Sequence, residues 1–386
     1  MSVLALALVT AAVSLVNAQS WSIAQDLQGN SFFNGFRFNE SVIDYNNFGN
    51  VHFLSQSAAS QAGLFSVDSN QHAIIKVDNT TSAIGDPTFG RNTVYLIGNT
   101  ALNLGSLVIF DANHIPYGCS VWPGFFTQGA KWPEEGEIDI VENVNLATFN
   151  QYSLHTATTC NQAEGATQFG RTTNTNCTVV PELNQNTGCV VQETKPNSFG
   201  SSFAQARGGV FAMQWDKDGV RNWFWTRTEV PSDITSTNDH PDPTKWGIPS
   251  AFYPASGCDP KTTFGPQFLT LYINLCGAFA GNDNVFASTC GSVAPNCSVL
   301  VPDAANYANA YWDINYLRVF TDGTTPSPSS TGSSGASNPT NTGGANSPTN
   351  TGTGSGNTGG ASLSASVKDM FFVPVAAAVF GLLAMI

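Results

Sequence analysis

Charge is what this sequence has least of. Asp, Glu, Lys and Arg make up 11% of its 386 residues, against about a quarter in typical soluble proteins. Basic residues are the scarcer half: 14 Lys and Arg stand against 27 Asp and Glu, for a net charge of −13. No basic stripe is left to neutralise phosphates, which excludes a nucleic-acid partner. The Lys, Glu and Arg of a helical bundle are scarce too, and Met occurs only 4 times. Long apolar runs occur only at the two ends, which excludes a polytopic membrane protein. No C-x-x-C pair is present and the 5 His are scattered, so a zinc site has no support. What is plentiful is Gly (36), Phe (26), Ser, Thr and Asn, the composition of a secreted, β-rich protein.

Both ends read as addresses. Residues 3–15 are apolar, and Val16-Asn17-Ala18 fits a small-residue cleavage site before Gln19. Residues 1–18 are therefore read as a secretory signal peptide, in preference to a buried helix. Met370 to Ile386 is apolar throughout, and small residues (Asn357, Gly359, Gly360, Ser362) precede it. That is the pattern of a GPI-anchor signal, preferred over a single-pass helix. Residues 323–369 are Gly, Ser, Thr, Pro and Asn with a near-repeat, NPTNTGG and SPTNTGT. Such a segment has no apolar surface to offset its ordering entropy, and reads as a disordered, O-glycosylated stalk. The expected location is extracellular, anchored to the plasma membrane or cell wall.

The part between, residues 19–322, holds all 8 Cys. An even number behind a signal peptide reads as a disulfide set of up to four bridges, with the pairing open. Sequons stand at Asn39, Asn79, Asn176 and Asn296. Short runs rich in aromatic and β-branched residues recur: VYLIGN, SLVIF, GVFAMQW, RNWFWTR, FLTLYINL and YWDINYLRVF. Asp216-Lys217-Asp218-Gly219 reads as a hairpin turn between two of them. The pattern predicts one all-β sandwich or barrel domain.

The sharpest chemistry lies in Trp132–Asn145, where five acids fall within nine residues: Glu134, Glu135, Glu137, Asp139 and Glu142. As a strand, Glu137 and Asp139 face one side and Ile138 and Ile140 the other. Strict alternation would bury Glu142 among the isoleucines, at high cost. One β-bulge near Ile140–Val141 returns it to the side of Glu137 and Asp139. The two Glu are then four steps apart, with Cα atoms about 13 Å apart. Their carboxyl groups can lean to within about 5–6 Å, the spacing of retaining glycosidases. Asp139 between them separates their proton affinities, which makes one carboxyl a donor and the other a nucleophile. A solvated acidic strand and a calcium site are the competing readings of the same residues. Trp122, Phe125, Phe126 and Trp132 lie just upstream, as sugar-stacking rings or as ordinary core.

GEIDIVE, residues 136–142, resembles the glycoside hydrolase family 16 signature in its laminarinase-type form, with an additional residue before the last Glu. The resemblance takes in FFNGFRF, GCSVWPGFFTQGAKWPEEGEIDIVENVN, SLHT and WGIPSAFYP, and so spans 19–322. It is strongest to fungal endo-1,3(4)-β-glucanases. It implies a β-jelly roll of two curved antiparallel sheets with a concave glucan-binding cleft. It further implies Glu137 as nucleophile, Glu142 as acid/base and Asp139 as assisting carboxylate. Trp132, His155, Trp122, Phe126 and Phe279 are the implied substrate contacts. The sequence departs from the family where Asn143 stands in place of a common Gly, Phe126 in place of Trp, and Ala278-Phe279 in place of Asp-Trp.

The expected activity is retaining hydrolysis of β-1,3 and mixed β-1,3/1,4 glucans by double displacement, by a monomer without cofactor or metal. Two alternatives stay open. A cell-wall transglycosylase of the same family would share the first step, though Val141 argues for the laminarinase-type signature. A glucan-binding wall protein without activity would be expected to have lost the two Glu.

Overall fold

Period-two alternation sorts the strands into two large antiparallel sheets. The computed structural model describes residues 20–324, apart from Pro87, Asn184, Ser236 and Asp239. Residues 1–18, read above as a signal peptide, residues 325–369 of the segment 323–369 read as a stalk, and residues 370–386, read as an anchor signal, lie outside the described residues. Of the two units into which the chain divides, Met1–Ser330 and Thr331–Ile386, only the first contains described residues.

Sheet A runs Ala251–Pro254, Gly219–Thr226, Gly209–Asp216, Ser106–His114, Tyr311–Thr321, Ala73–Lys76, Phe65–Val67, with Ser22–Gln28 also paired to Tyr311–Thr321. Sheet B runs Arg171–Asn174, Cys189–Gln192, Gln151–His155, Glu137–Glu142, Val121–Gly129, Gln267–Leu275, Tyr95–Leu102, Phe36–Phe38. Every run singled out in the sequence is a strand of one of these sheets. Asp216 and Gly219 pair directly, so Lys217-Asp218 is the two-residue hairpin turn.

The main core lies between the sheets. Phe110 of sheet A stacks on Phe125 of sheet B at 4.2 Å. Ile138, Leu154 and Leu271 meet Phe211, Met213 and Leu317 in the same cluster. The alternate residues of sheet B turn away from this core and form the face that carries the acids.

Sheet A is buried on its other face as well. Leu107, Ile109, Val210, Trp223 and Trp225 form a second apolar cluster there, covered by Trp21, Ile234 and Trp246. Asp233 accepts the Trp246 Nε1 hydrogen at 3.1 Å, and Arg318 pairs with Asp26 at 2.9 Å and donates to the carbonyls of Thr235 and Asn238. This packing explains why GVFAMQW and SLVIF read as continuous apolar runs rather than alternating ones.

All eight Cys are paired: Cys119–Cys290, Cys160–Cys258, Cys177–Cys189 and Cys276–Cys297. The four sequon asparagines are exposed.

Candidate active site

Glu137–Glu142 lies in the middle of sheet B, between Val121–Gly129 and Gln151–His155. Gly136 starts it with φ +74°, and a Cβ there would stand 2.4 Å from the Phe264 ring, so glycine is required. Register places Glu137 opposite Gln128 and His155, and Asp139 opposite Phe126 and Ser153. It then shifts between Asp139 and Glu142. Ile140 and Val141 both turn into the core, and Glu142 regains the face of Glu137 and Asp139, opposite Gly124 and Gln151. The bulge inferred from the cost of burying Glu142 is present.

A bulge leaves backbone groups unpaired. Here the Asn150 side chain satisfies them. Its Oδ1 accepts the Glu142 N–H at 3.0 Å and its Nδ2 donates to the Ile140 carbonyl at 2.9 Å. Asn150 is fully buried and fixed in turn by Ser198 Oγ and the Glu193 N–H.

Each acid has defined partners. Gln128 Nε2 donates to Glu137 Oε2 at 3.1 Å. Trp122 Nε1 donates to Glu142 Oε1 at 2.9 Å, and Gln151 Nε2 reaches Oε2 at 3.4 Å. Asp139, almost fully buried, accepts from Ser153 Oγ at 2.5 Å and lies 3.3 Å from His155 Nε2.

Burial, then the Asp139 charge, pushes Glu142 up to about 7 against the weaker pull of Trp122, His155 and Gln151. The same two causes, with Glu142 adding to them, hold Glu137 well above the usual carboxyl range. Burial alone would discharge His155, but its bond to Asp139 and the charges of Asp139, Glu137 and Glu142 outweigh burial and raise it to about 9. The site is thus a row of three carboxyls with one imidazolium beside the middle one, binding a proton tightly near neutral pH. Such a row can donate a proton from one end and present a nucleophile at the other.

The other sequence-derived contacts divide by exposure. Trp132 is 38% exposed, in the turn just before Glu137, and is open to a ligand. Trp122 and Phe126 are only 6% and 7% exposed. They form the floor, packed edge-on against Tyr272 at 6.1 and 5.5 Å. Phe279 is half-buried and packs edge-on against Trp122 at 5.6 Å. Phe125 faces the opposite way, into the core. Asn143 donates to the Phe149 carbonyl at 2.8 Å and caps the turn after the acids.

The sequence reading missed Gln128, Gln151, Ser153 and Tyr272. The signal was there: in QYSLH and FLTLYINL the polar residues alternate with the apolar ones that face the core. Glycine at 124 makes room for Tyr272, since a Cβ would stand 2.4 Å from that ring. Among the described residues, Glu137, Asp139 and His155 also have atoms close enough to share a cation. Asp139 Oδ2 is already occupied by Ser153 and His155. The other sulfur-rich cluster, Cys160, Cys177 and Cys258, is oxidised to disulfides and offers no thiolate.

Residues 36–320 match the family model described as XgeA-like, catalytic GH16 domain. An endo-1,3(4)-beta-glucanase of Arthroderma benhamiae is 35% identical over 328 residues, 84% of this chain and 70% of that one. Laminarinase 16A of Phanerochaete chrysosporium, solved with β-glucans in its donor and acceptor sites, is 31% identical with a TM-score of 0.73, over 78% of this chain and all of that one. An elongating family 16 β-1,3-glucosyltransferase is 34% identical with a TM-score of 0.68, over the same shares of both chains. The two sheets are therefore those of a β-jelly roll, and the chain is a glycoside hydrolase of family 16.

Proposed function

We propose that this chain is a retaining endo-β-glucanase acting on β-1,3 and mixed β-1,3/1,4 glucans. The observation that carries the reading is the bulge, which sets Glu137 and Glu142 on one face with Asp139 between them. The likeness to laminarinase-type enzymes supplies the substrate class.

Glu142, still protonated near neutral pH, gives its proton to the leaving glycosidic oxygen as that C–O bond breaks. In the reactive state the two Glu share one proton, held on Glu142, and the ionised Glu137 closes on the anomeric carbon and forms a glycosyl ester. The ester has no charge, so Glu142 loses part of the repulsion that held its proton. It then accepts a proton from water as the water oxygen replaces Glu137 on the anomeric carbon. Two inversions leave the configuration retained. Asp139 and His155 position and tune the two Glu, and Trp132 offers its face to a sugar ring.

The test is product analysis by NMR with laminarin and mixed-linkage glucan, for the wild type, Glu137→Gln and Glu142→Gln. The β-anomer is expected first, with nearly all activity lost in both variants. Release of the α-anomer first, or an active Glu137→Gln, would overturn the assignment.

Likeness to the elongating glucosyltransferase favours a second reading, in which a sugar hydroxyl replaces water in the second step. Products longer than the starting oligosaccharide would establish it. We further infer a secreted protein held at the cell surface by the stalk and the GPI signal. The four disulfides support passage through an oxidising compartment.

A further inference from the structure

Large apolar side chains are exposed here and there over the surface, but four of them crowd into one loop. Val42, Ile43, Tyr45 and Phe48 are 72%, 54%, 73% and 73% exposed. The loop is no loose excursion. Asp44 at its centre is buried, accepts the N–H groups of Asn46, Asn47 and Gly49, and takes a 2.7 Å bond from Asn274 Nδ2. Gly49 bridges to Cys276, and Ala278 donates its N–H to the Asn47 carbonyl at 2.8 Å.

Phe48 stands at φ +58°, a left-handed conformation that bulky residues rarely adopt. Its ring gains no packing in return, since it points to solvent. A strained, exposed aromatic on a rigidly fastened loop is a reason to look for a ligand.

The fastening leads back to the catalytic row. Asn274 lies on the acid-bearing face of sheet B, in register with Trp122. Trp122 holds Glu142, and Phe279, one residue after Ala278, packs on Trp122. The loop that exposes Tyr45 and Phe48 is thus fastened beside the residues that flank the acids. Their neighbours are amides: Asn46, Asn47 and Asn50. No Lys or Arg occurs in residues 39–50, and Glu40 and Asp44 are acidic. Such a loop offers nothing to anionic lipid or to phosphate. Aromatic faces and amides without cations are the chemistry that takes a neutral polyol, with its apolar C–H face and its ring of hydroxyls.

We propose that the Val42–Phe48 loop is a distal glucan-binding platform, on which Tyr45 and Phe48 hold glucosyl units beyond those flanking the scissile bond. This rests on the glucanase reading above. The platform adds binding to long chains that a short oligosaccharide cannot reach.

The test compares the full chain with Tyr45→Ser/Phe48→Asn; Asn tolerates the backbone angle of Phe48. Tyr45→Ser alone serves if the double variant unfolds. On a β-1,3-glucan polymer the double variant is expected to lose about tenfold in kcat/KM, through KM. On laminaritriose the loss is expected to stay under about twofold. Equal losses on both substrates, or none, would overturn the platform. Co-sedimentation with insoluble β-1,3-glucan reads the loop independently of hydrolysis. If the wild type cleaves nothing, the glucanase reading fails, and weaker retention of the variant still supports the platform. Equal retention overturns it, as does a wild-type dimer that the substitutions dissociate while retention is unchanged.

Discussion

Removing one charge from the acidic row tests how the row is tuned. After burial, Asp139 is the largest influence raising both Glu137 and Glu142. Asp139→Asn keeps the shape and removes that charge. The spacing of two strand steps is about 7 Å, and at an effective dielectric constant of about 20 two unit charges interact there by about 2.4 kcal/mol, or about 1.7 pKa units. That is the ceiling, because His155 responds. Without Asp139 its proton, now held up to about 9, loses its main support, and burial drives it to the neutral form. The site then loses a positive charge along with the negative one. Asp139 acts on Glu142 more strongly than His155 does, so a downward shift survives. We take it as about 0.5–1 unit.

The sign in activity follows from the role of Glu142. As the proposed proton donor it must enter the reaction protonated, so kcat/KM is expected to fall as pH rises through about 7 in the wild type. In Asp139→Asn that alkaline limb is expected at lower pH. His155→Gln is the opposite perturbation: it removes the positive charge that lowers Glu142 and is expected to move the limb to higher pH. The assay is kcat/KM on a soluble β-glucan from pH 4 to 9 for the three proteins. A shift of both variants in the same direction, or of neither, would refute this account of the site.

Asn150→Ala leaves the Glu142 N–H and the Ile140 carbonyl unpaired in the bulge. It is expected to lower kcat by about tenfold or more with little change in KM, because misplacing a catalytic group costs the chemical step. Asn150→Asp, which keeps the acceptor and not the donor, is expected to fall between. Replacing Cys119 and Cys290 by Ala, a bridge across 171 residues, is expected to cost about 5 kcal/mol. Replacing Cys276 and Cys297, which close 21 residues, is expected to cost about 3 kcal/mol. Urea unfolding measures both, and the reverse order would argue against loop entropy as the cause.

Strands that bury one face or both leave a mark in composition, which is why the sandwich and its hairpin were legible. What covers a sheet leaves no such mark. Nothing around Ile234 and Trp246 says that they close the outer face of Trp223 and Trp225. The disulfide pairing depends on how distant segments meet, and Cys119 pairs with Cys290 across 171 residues, a partnership no local pattern contains. Glu137, Asp139 and Glu142 could be read because they share one short segment. Gln128, Ser153 and Tyr272 come to them from three other strands, each adding a single residue whose type is ordinary for a strand.

The bulge is the case where local sequence specified a non-local outcome. Glu142 is five positions after Glu137, an odd offset, so an unbroken strand would place them on opposite faces. The core side of Ile138, Ile140 and Val141 is a buried apolar cluster, where a carboxylate would be costly. The fold therefore had to introduce a one-residue slip, and the slip brings two carboxyls onto the open face one step closer than the residue count implies. Asn150 then lies in a place that no strand pattern predicts, since its task exists only once the ladder is broken. The slip in the ladder, the satisfaction of its backbone and the spacing of the two acids are one structural feature. A variant that deletes Val141 makes Glu137-Ile138-Asp139-Ile140-Glu142 a regular strand with Glu142 still two steps from Asp139, and with the ladder unbroken Asn150→Ala is expected to cost that variant much less kcat than it costs the wild type.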